Sequence, residues 1–126
     1  MMNLDLEATK TAQKIINKTS KISPNEIENL ITKTLGILQE NGVYACTLYL
    51  YSRTSDSEKE VSEVTRNELL KMAELLGKEP EDDEKAEDVL KFLTDNICND
   101  LDTLFLTKQL WEQTLTYARY GAKARR

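Results

Sequence analysis

Residues 43–51, Val-Tyr-Ala-Cys-Thr-Leu-Tyr-Leu-Tyr (VYACTLYLY), can be read as either of two secondary structures. Valine, threonine, three tyrosines and alternating leucines suit a β-strand, because such side chains pack well on a pleated surface. A lone strand, however, has no partner for its backbone N–H and C=O groups. Every neighbouring stretch reads as helix, so this one is predicted to be a third, largely buried helix. The chain is then all-α, a compact bundle of five to six helices. Three tyrosines in this stretch could stack on bases. Packing at the edge of the core, with hydroxyls reaching solvent, is the commoner use and the expectation here.

Moving back toward the N-terminus, Asn41-Gly42 separates this helix from a second one, since both residues tolerate a left-handed helix end. Ile27, Leu30, Ile31, Leu35 and Leu38 form the buried stripe of that second helix. Ser23-Pro24-Asn25-Glu26 predicts its start as a capping box with proline at the first helical position. The first helix is predicted over about Leu4 to Lys21, with Leu6, Ala12, Ile15 and Ile16 inward. Lys10, Lys14, Lys18 and Lys21 recur at steps of four, four and three, which places four ammonium groups on one face. No acidic residue interleaves them between Thr9 and Ile22. Such a row is either a solubilising face or a stripe that tracks phosphates.

Toward the C-terminus, Arg53 to Glu60 (RTSDSEKE) is predicted to be a polar loop. A fourth helix over about Val61 to Leu76 buries Val61, Val64, Leu69, Met72, Ala73 and Leu76 and stops at Gly77. Lys78 to Glu84 (KEPEDDE) forms an acidic loop broken by Pro80. A fifth helix through about Cys98 turns Ala86, Val89, Leu90, Leu93 and Ile97 inward, with Glu84, Glu87 and Asp88 favoured by its N-terminal dipole. The cluster Glu79, Glu81, Asp82, Asp83 and Glu84 lacks the alternating ligands, central glycine and closing glutamate of a calcium loop. It reads as a solvated loop, or as a dock for a basic neighbour such as another copy of the chain. The last helix, Thr103 to Arg126, carries the only tryptophan. Leu104, Trp111, Leu115, Ala118 and Ala122 share one face, widened by Leu106, Leu110 and Tyr117. So broad a stripe predicts a helix packed by several neighbours.

At 126 residues the chain is long enough for one domain, residues 1–126, with a real core. Four glycines and two prolines favour helix, and 40% hydrophobic content argues against wholesale disorder. The net charge of −5 conceals an asymmetry. Residues 1–60 carry seven basic and eight acidic side chains, residues 61–102 five and thirteen, and residues 103–126 five and one. Local patches rather than the mean govern contact with nucleic acid. With no histidine there is no Ser-His-Asp or Cys-His nucleophile, and Cys46 and Cys98 alone make a poor zinc set. Glycine-rich phosphate motifs are missing as well. The chain has no run of apolar residues long enough to span a membrane and no secretion-like N-terminus, so a cytoplasmic protein with reduced thiols is expected. No cofactor, metal or catalytic activity is expected.

The pattern resembles the small subunit of type III-B (Cmr-type) CRISPR effector complexes. Three places carry the resemblance: Leu6-Glu7 followed by Lys10, Thr11 and Ala12; Leu38 to Leu50 (LQENGVYACTLYL); and Tyr117 to Ala124 (YARYGAKA). The resemblance implies a non-catalytic protein that lines up beside the subunits gripping the guide RNA and forms a groove along the guide–target duplex. Its implied partners are other subunits of the complex, guide RNA and target RNA, with possible self-stacking. Tyr120 and Gly121 stand where the family tends to have a basic and an aromatic residue, which leaves Arg119 and Lys123 as the C-terminal RNA contacts. The full set expected to bind RNA is Lys10, Lys14, Lys18, Lys108, Arg119 and Lys123, with Arg125 and Arg126 as a mobile tail. Two other readings compete. One is a helical protein–protein adaptor with no nucleic-acid role. The other is an acidic nucleic-acid mimic built on Glu79 to Asp88, which ranks behind because its charge is confined to one loop and half a helix.

Overall fold

The computed structural model describes residues 3–80 and 85–126 and is all-α, with six α-helices and no strand among the described residues. The helices are α1 (Leu4–Lys18), α2 (Pro24–Asn41), α3 (Val43–Tyr51), α4 (Asp56–Lys71), α5 (Ala86–Asn96) and α6 (Leu101–Ala124). A 3-10 turn, Met72–Leu76, extends α4. VYACTLYLY is thus helical throughout. Gly42, at φ 95°, makes the break before it: its N–H closes α2 on the Leu38 carbonyl, and its carbonyl accepts the Cys46 N–H of α3. Only glycine adopts that φ without strain.

Local chemistry sets several boundaries apart from the predicted ones. α1 ends at Lys18 rather than Lys21, because the Thr19 hydroxyl donates to the Ile15 carbonyl at 2.8 Å and its N–H turns back to Ile16. The expected capping box at Ser23 does not form. The Ser23 side chain makes no cap hydrogen bond, and Pro24 starts the helix by its fixed φ and missing donor. α4 begins at Asp56, five residues before Val61, so five of the eight residues of the expected polar loop are helix. Asp56 and Glu58 sit in its first turn, where the dipole favours acids. At Gly77, φ 76°, the predicted stop takes the form of a Schellman motif: Lys78 N–H donates to Ala73 and Gly77 N–H to Glu74. α6 starts two residues early, capped by Asp100, whose carboxylate accepts the Thr103 N–H at 3.2 Å. Those Thr103 hydrogen bonds hold the Asp100 carboxyl below its ordinary value. Of the acidic loop cluster, Glu81 to Glu84 lie outside the described residues.

α6 is the centre of the bundle, lying between α1 and α2. It runs in the same sense as α1: Asp5 accepts a hydrogen bond from Gln113, Ile16 lies against Gly121, and Ser20 meets Arg125. It runs opposite to α2, with Gln39 beside Lys108 and Glu28 beside Lys123 and Arg126. A Cβ at Gly121 would stand 3.2 Å from Ile16 Cγ1, so this glycine permits the close approach of α1. Trp111, Leu115, Ala118 and Ala122 are buried as predicted, and α3, α4 and α5 close the core around them. Leu6, expected inward, is exposed instead. Among the described residues, no helix is long and apolar enough to cross a membrane. Cys46 is buried and Cys98 half-buried, both free. Burial pushes the Cys46 thiol up to about 12, far from a reactive thiolate.

Leu115 is 0% exposed and Phe105 is 60% exposed on the same helix. Leu115→Ala is expected to lower unfolding free energy by about 2–5 kcal/mol, and Phe105→Ala by no more than about 0.5 kcal/mol. Urea denaturation followed by Trp111 fluorescence measures both. Equal losses would place the core elsewhere.

Candidate nucleic-acid interface

The cations expected to bind RNA fall into two rows, one on α1 and one on α6. On α1, Lys10, Lys14 and Lys18 are exposed, and Lys21 is exposed in the turn after the helix. Lys10 approaches Glu7 at 3.9 Å, a weak pairing between exposed groups. Lys18 Nζ bonds the Glu68 carboxylate of α4 at 2.8 Å. Lys14 and Lys21 have no acidic partner among the described residues. They are the open part of the row.

Lys108 and Lys123 of α6, and Arg126 just beyond it, reach α2, and helical spacing sets Arg119 on the same flank as Lys108 and Lys123. Lys108 lies 3.9 Å from Glu112 and donates to the Gln39 carbonyl at 3.4 Å, near the negative C-terminal end of α2. Lys123 and Arg126 both engage Glu28 of α2, the former at 3.7 Å. Arg119 is half-buried, without an ion pair among the described residues, and its Nε has no acceptor. The expected mobile tail is instead docked. Arg125 donates to the Ser20 carbonyl at 2.9 Å, just past the end of α1, and Arg126 closes on Glu28. Unpaired carbonyls at a helix C-terminus attract such donors, which explains why the tail folds back.

The two rows therefore do not merge into one surface along the bundle. The two segments meet at one end, where Arg125 donates to the carbonyl of Ser20, which lies between Lys18 and Lys21 in the chain. Two buried acids missed by sequence reasoning organise this arrangement: Glu28 and Glu68. The Glu68 side chain is 3% exposed and takes both Lys18, at 2.8 Å, and Lys71, at 3.3 Å. Burial alone would raise its pKa, but the hydrogen bonds and charges of the two lysines outweigh this and hold the carboxyl below its ordinary value. The available signal was positional: Glu28 follows Ile27 and Glu68 precedes Leu69, each at the margin of a buried stripe. No group of three or more cysteine, aspartate or glutamate residues that could hold a metal gathers among the described residues. No protein-family model, curated protein or solved structure matches this chain.

Glu68→Gln is expected to cost about 1–2 kcal/mol at neutral pH, since it removes a charged acceptor from two donors whose outer ends remain solvated. A depressed carboxyl contributes fully above its ordinary value of 4.5 and loses that contribution as pH falls through its lower folded value. The gap between wild type and variant should therefore close below pH 4.5, as read by thermal melts across the acid range. A gap independent of pH would dismiss the Lys18–Glu68–Lys71 group as a stabilising feature.

Proposed function

We propose that this chain is the non-catalytic small subunit of a type III CRISPR ribonucleoprotein effector complex, contacting guide and target RNA phosphates beside the backbone subunits in antiviral defence. The observation that carries the reading is the exposed lysines of the first segment, Lys10 and Lys14 on α1 and Lys21 in the turn after it, of which Lys14 and Lys21 lack any acid partner among the described residues. Lysines spaced along a helix grip phosphates without regard to sequence, which suits a subunit lying along a guide–target duplex. The resemblance of Leu38 to Leu50 and Tyr117 to Ala124 supports the same assignment. So does the helical bundle itself, the architecture that the resemblance implies. Arg119 adds an unpaired guanidinium on the other flank. Lys18, Lys108 and Lys123 would contribute by exchanging intramolecular partners for phosphate. Other subunits of the complex, and a second copy of the chain stacked against it, are the protein partners of this reading, and the cytoplasm is its compartment.

A helical adaptor with no nucleic-acid role is the second reading. It is favoured by the exposed apolar residues Tyr44, Leu48, Leu101 and Phe105 on α3 and α6. Tyr44 and Phe105 flank a groove of about 350 Å³ that also takes in Val43, Cys98 and Leu104. Such a face suits a protein partner better than RNA.

A pull-down from the native host, with and without ribonuclease, separates the two. Repeat-like subunits with a short guide RNA establish the first, whereas protein partners unchanged by ribonuclease establish the second. On the purified chain, affinity for an RNA duplex should fall steeply with salt. Lys14→Ala with Lys21→Ala should flatten the slope of log affinity against log salt by roughly 0.7–0.9 for each phosphate that the variant no longer neutralises. Affinity that barely changes between low and physiological salt would rule out RNA binding through this face.

A further inference from the structure

We propose that the cleft between the end of α3 and the middle of α4 is a binding site for a phosphate group, held by Arg66, Arg53 and Lys59. The cleft measures about 290 Å³ and is lined by Leu50, Tyr51, Arg53, Lys59, Glu63 and Arg66. Arg66 is only 8% exposed, and its Nε is buried with no hydrogen-bond acceptor. Among the described residues it has no carboxylate partner. A guanidinium does not deprotonate in a protein, so this charge stays in a nearly dry setting and attracts an anion.

The two arginines are arranged to receive one. Arg66 stacks on the Tyr51 ring with its Cζ 3.9 Å from the centroid, and Arg53 stacks on Tyr49 at 4.4 Å. Stacking occupies the flat faces of a guanidinium and leaves its N–H edges to donate in plane, the geometry that grips phosphate oxygens two at a time. Arg53 spends Nε and one Nη on the neighbouring Ser52 hydroxyl, at 3.3 and 3.1 Å, and keeps its remaining N–H groups. Lys59 brings a third cation. Glu63 is the one carboxylate in the lining, and it pairs with none of the three. Three cations against one acid leave two positive charges for a phosphate dianion to neutralise.

The site is built from α3, α4 and the segment between them, without any lysine of the α1 row, and stands whether or not that row binds RNA. A free phosphomonoester, a dianion, and the phosphodiester of an RNA backbone, a monoanion, both offer anionic phosphoryl oxygens to such a fork, so the test distinguishes them. Protein labelled with 15N-arginine is titrated with inorganic phosphate at constant ionic strength, with chloride as control, while the Nε–Hε resonances are followed. Saturable shifts of Arg66 and Arg53 in phosphate alone are expected. Arg66→Lys keeps the charge but loses the fork, and should weaken binding about tenfold. Arg53→Gln, at a half-exposed position, should weaken it severalfold and serves if the Arg66 variant does not fold. Shifts that grow linearly and equally in chloride would overturn the proposal. So would an Arg53→Gln titration identical to wild type, or an Arg66→Lys protein that melts lower yet binds phosphate unchanged. Adenosine monophosphate binding more tightly than phosphate assigns the site to a free nucleotide; tightening confined to oligouridylate assigns it to the RNA backbone.

Discussion

Burying one face of α6 is the constraint to which the other helices answer. Trp111 sits in the middle of that face, and its indole N–H must find an acceptor once water is excluded. It finds the Leu69 carbonyl at 3.1 Å, just before α4 tightens into its 3-10 turn. That hydrogen bond ties α6 to the junction between α4 and its 3-10 turn, on which α6 packs. Thr114, one turn on, donates to the Leu110 carbonyl and touches the Met72 sulfur, which continues the same contact. With α6 anchored there, α1 and α2 can only take its two flanks, and Gly121 lets α1 come close.

The charges follow from that packing. α1 and α6 run in the same sense, so their carboxyl ends lie side by side, and both dipoles are negative there. Arg125 is drawn to the Ser20 carbonyl at that end. Glu28 and Glu68 then act as hubs, each taking two cations from different positions in the chain. A buried carboxylate is costly unless so partnered, and the partners are restrained in turn. The basic residues are in this way sorted into restrained and open groups: Lys18, Lys123 and Arg126 belong to the first, Lys14 and Lys21 to the second.

Much of the fold was legible because buried residues recur with helical period. The stripes of Ile27 to Leu38 and Trp111 to Ala122 fall where periodicity puts them, and Gly42 and Gly77 end helices through positive φ. VYACTLYLY was legible only by elimination, since its composition favours a strand and its surroundings forbid one. Thr34, Thr47, Thr107 and Thr114 count as polar in any hydrophobic pattern, yet each is buried with its hydroxyl bonded to the carbonyl four residues earlier. Asp56 to Glu60 look like loop because polar residues carry no stripe, although nothing in them opposes helix. The candidate basic rows were visible as spacing, but their partners were not. Glu28 and Glu68 lie 95 and 50 residues from Lys123 and Lys18, and no local pattern reports pairings at such separation.

That sorting also bears on how the two basic rows could serve one polyanion. A phosphate that recruits Lys123 must compete with Glu28, and the gain is the difference between two charged interactions rather than the whole of one. One that recruits Lys14 or Lys21 displaces only water and counterions. The α1 row therefore offers the larger net attraction per cation, even though residues 103–126 carry the larger net positive charge, five basic side chains against one acid. Arg119 is the exception on α6: no carboxylate among the described residues holds it, and its position between Lys108 and Lys123 allows a strand following the α6 flank to gain a full charged interaction there. Arg125, held on the Ser20 carbonyl, sets a guanidinium beside the turn 19–23, so the cations of the first and last segments come together at the carboxyl ends of α1 and α6 rather than along their length.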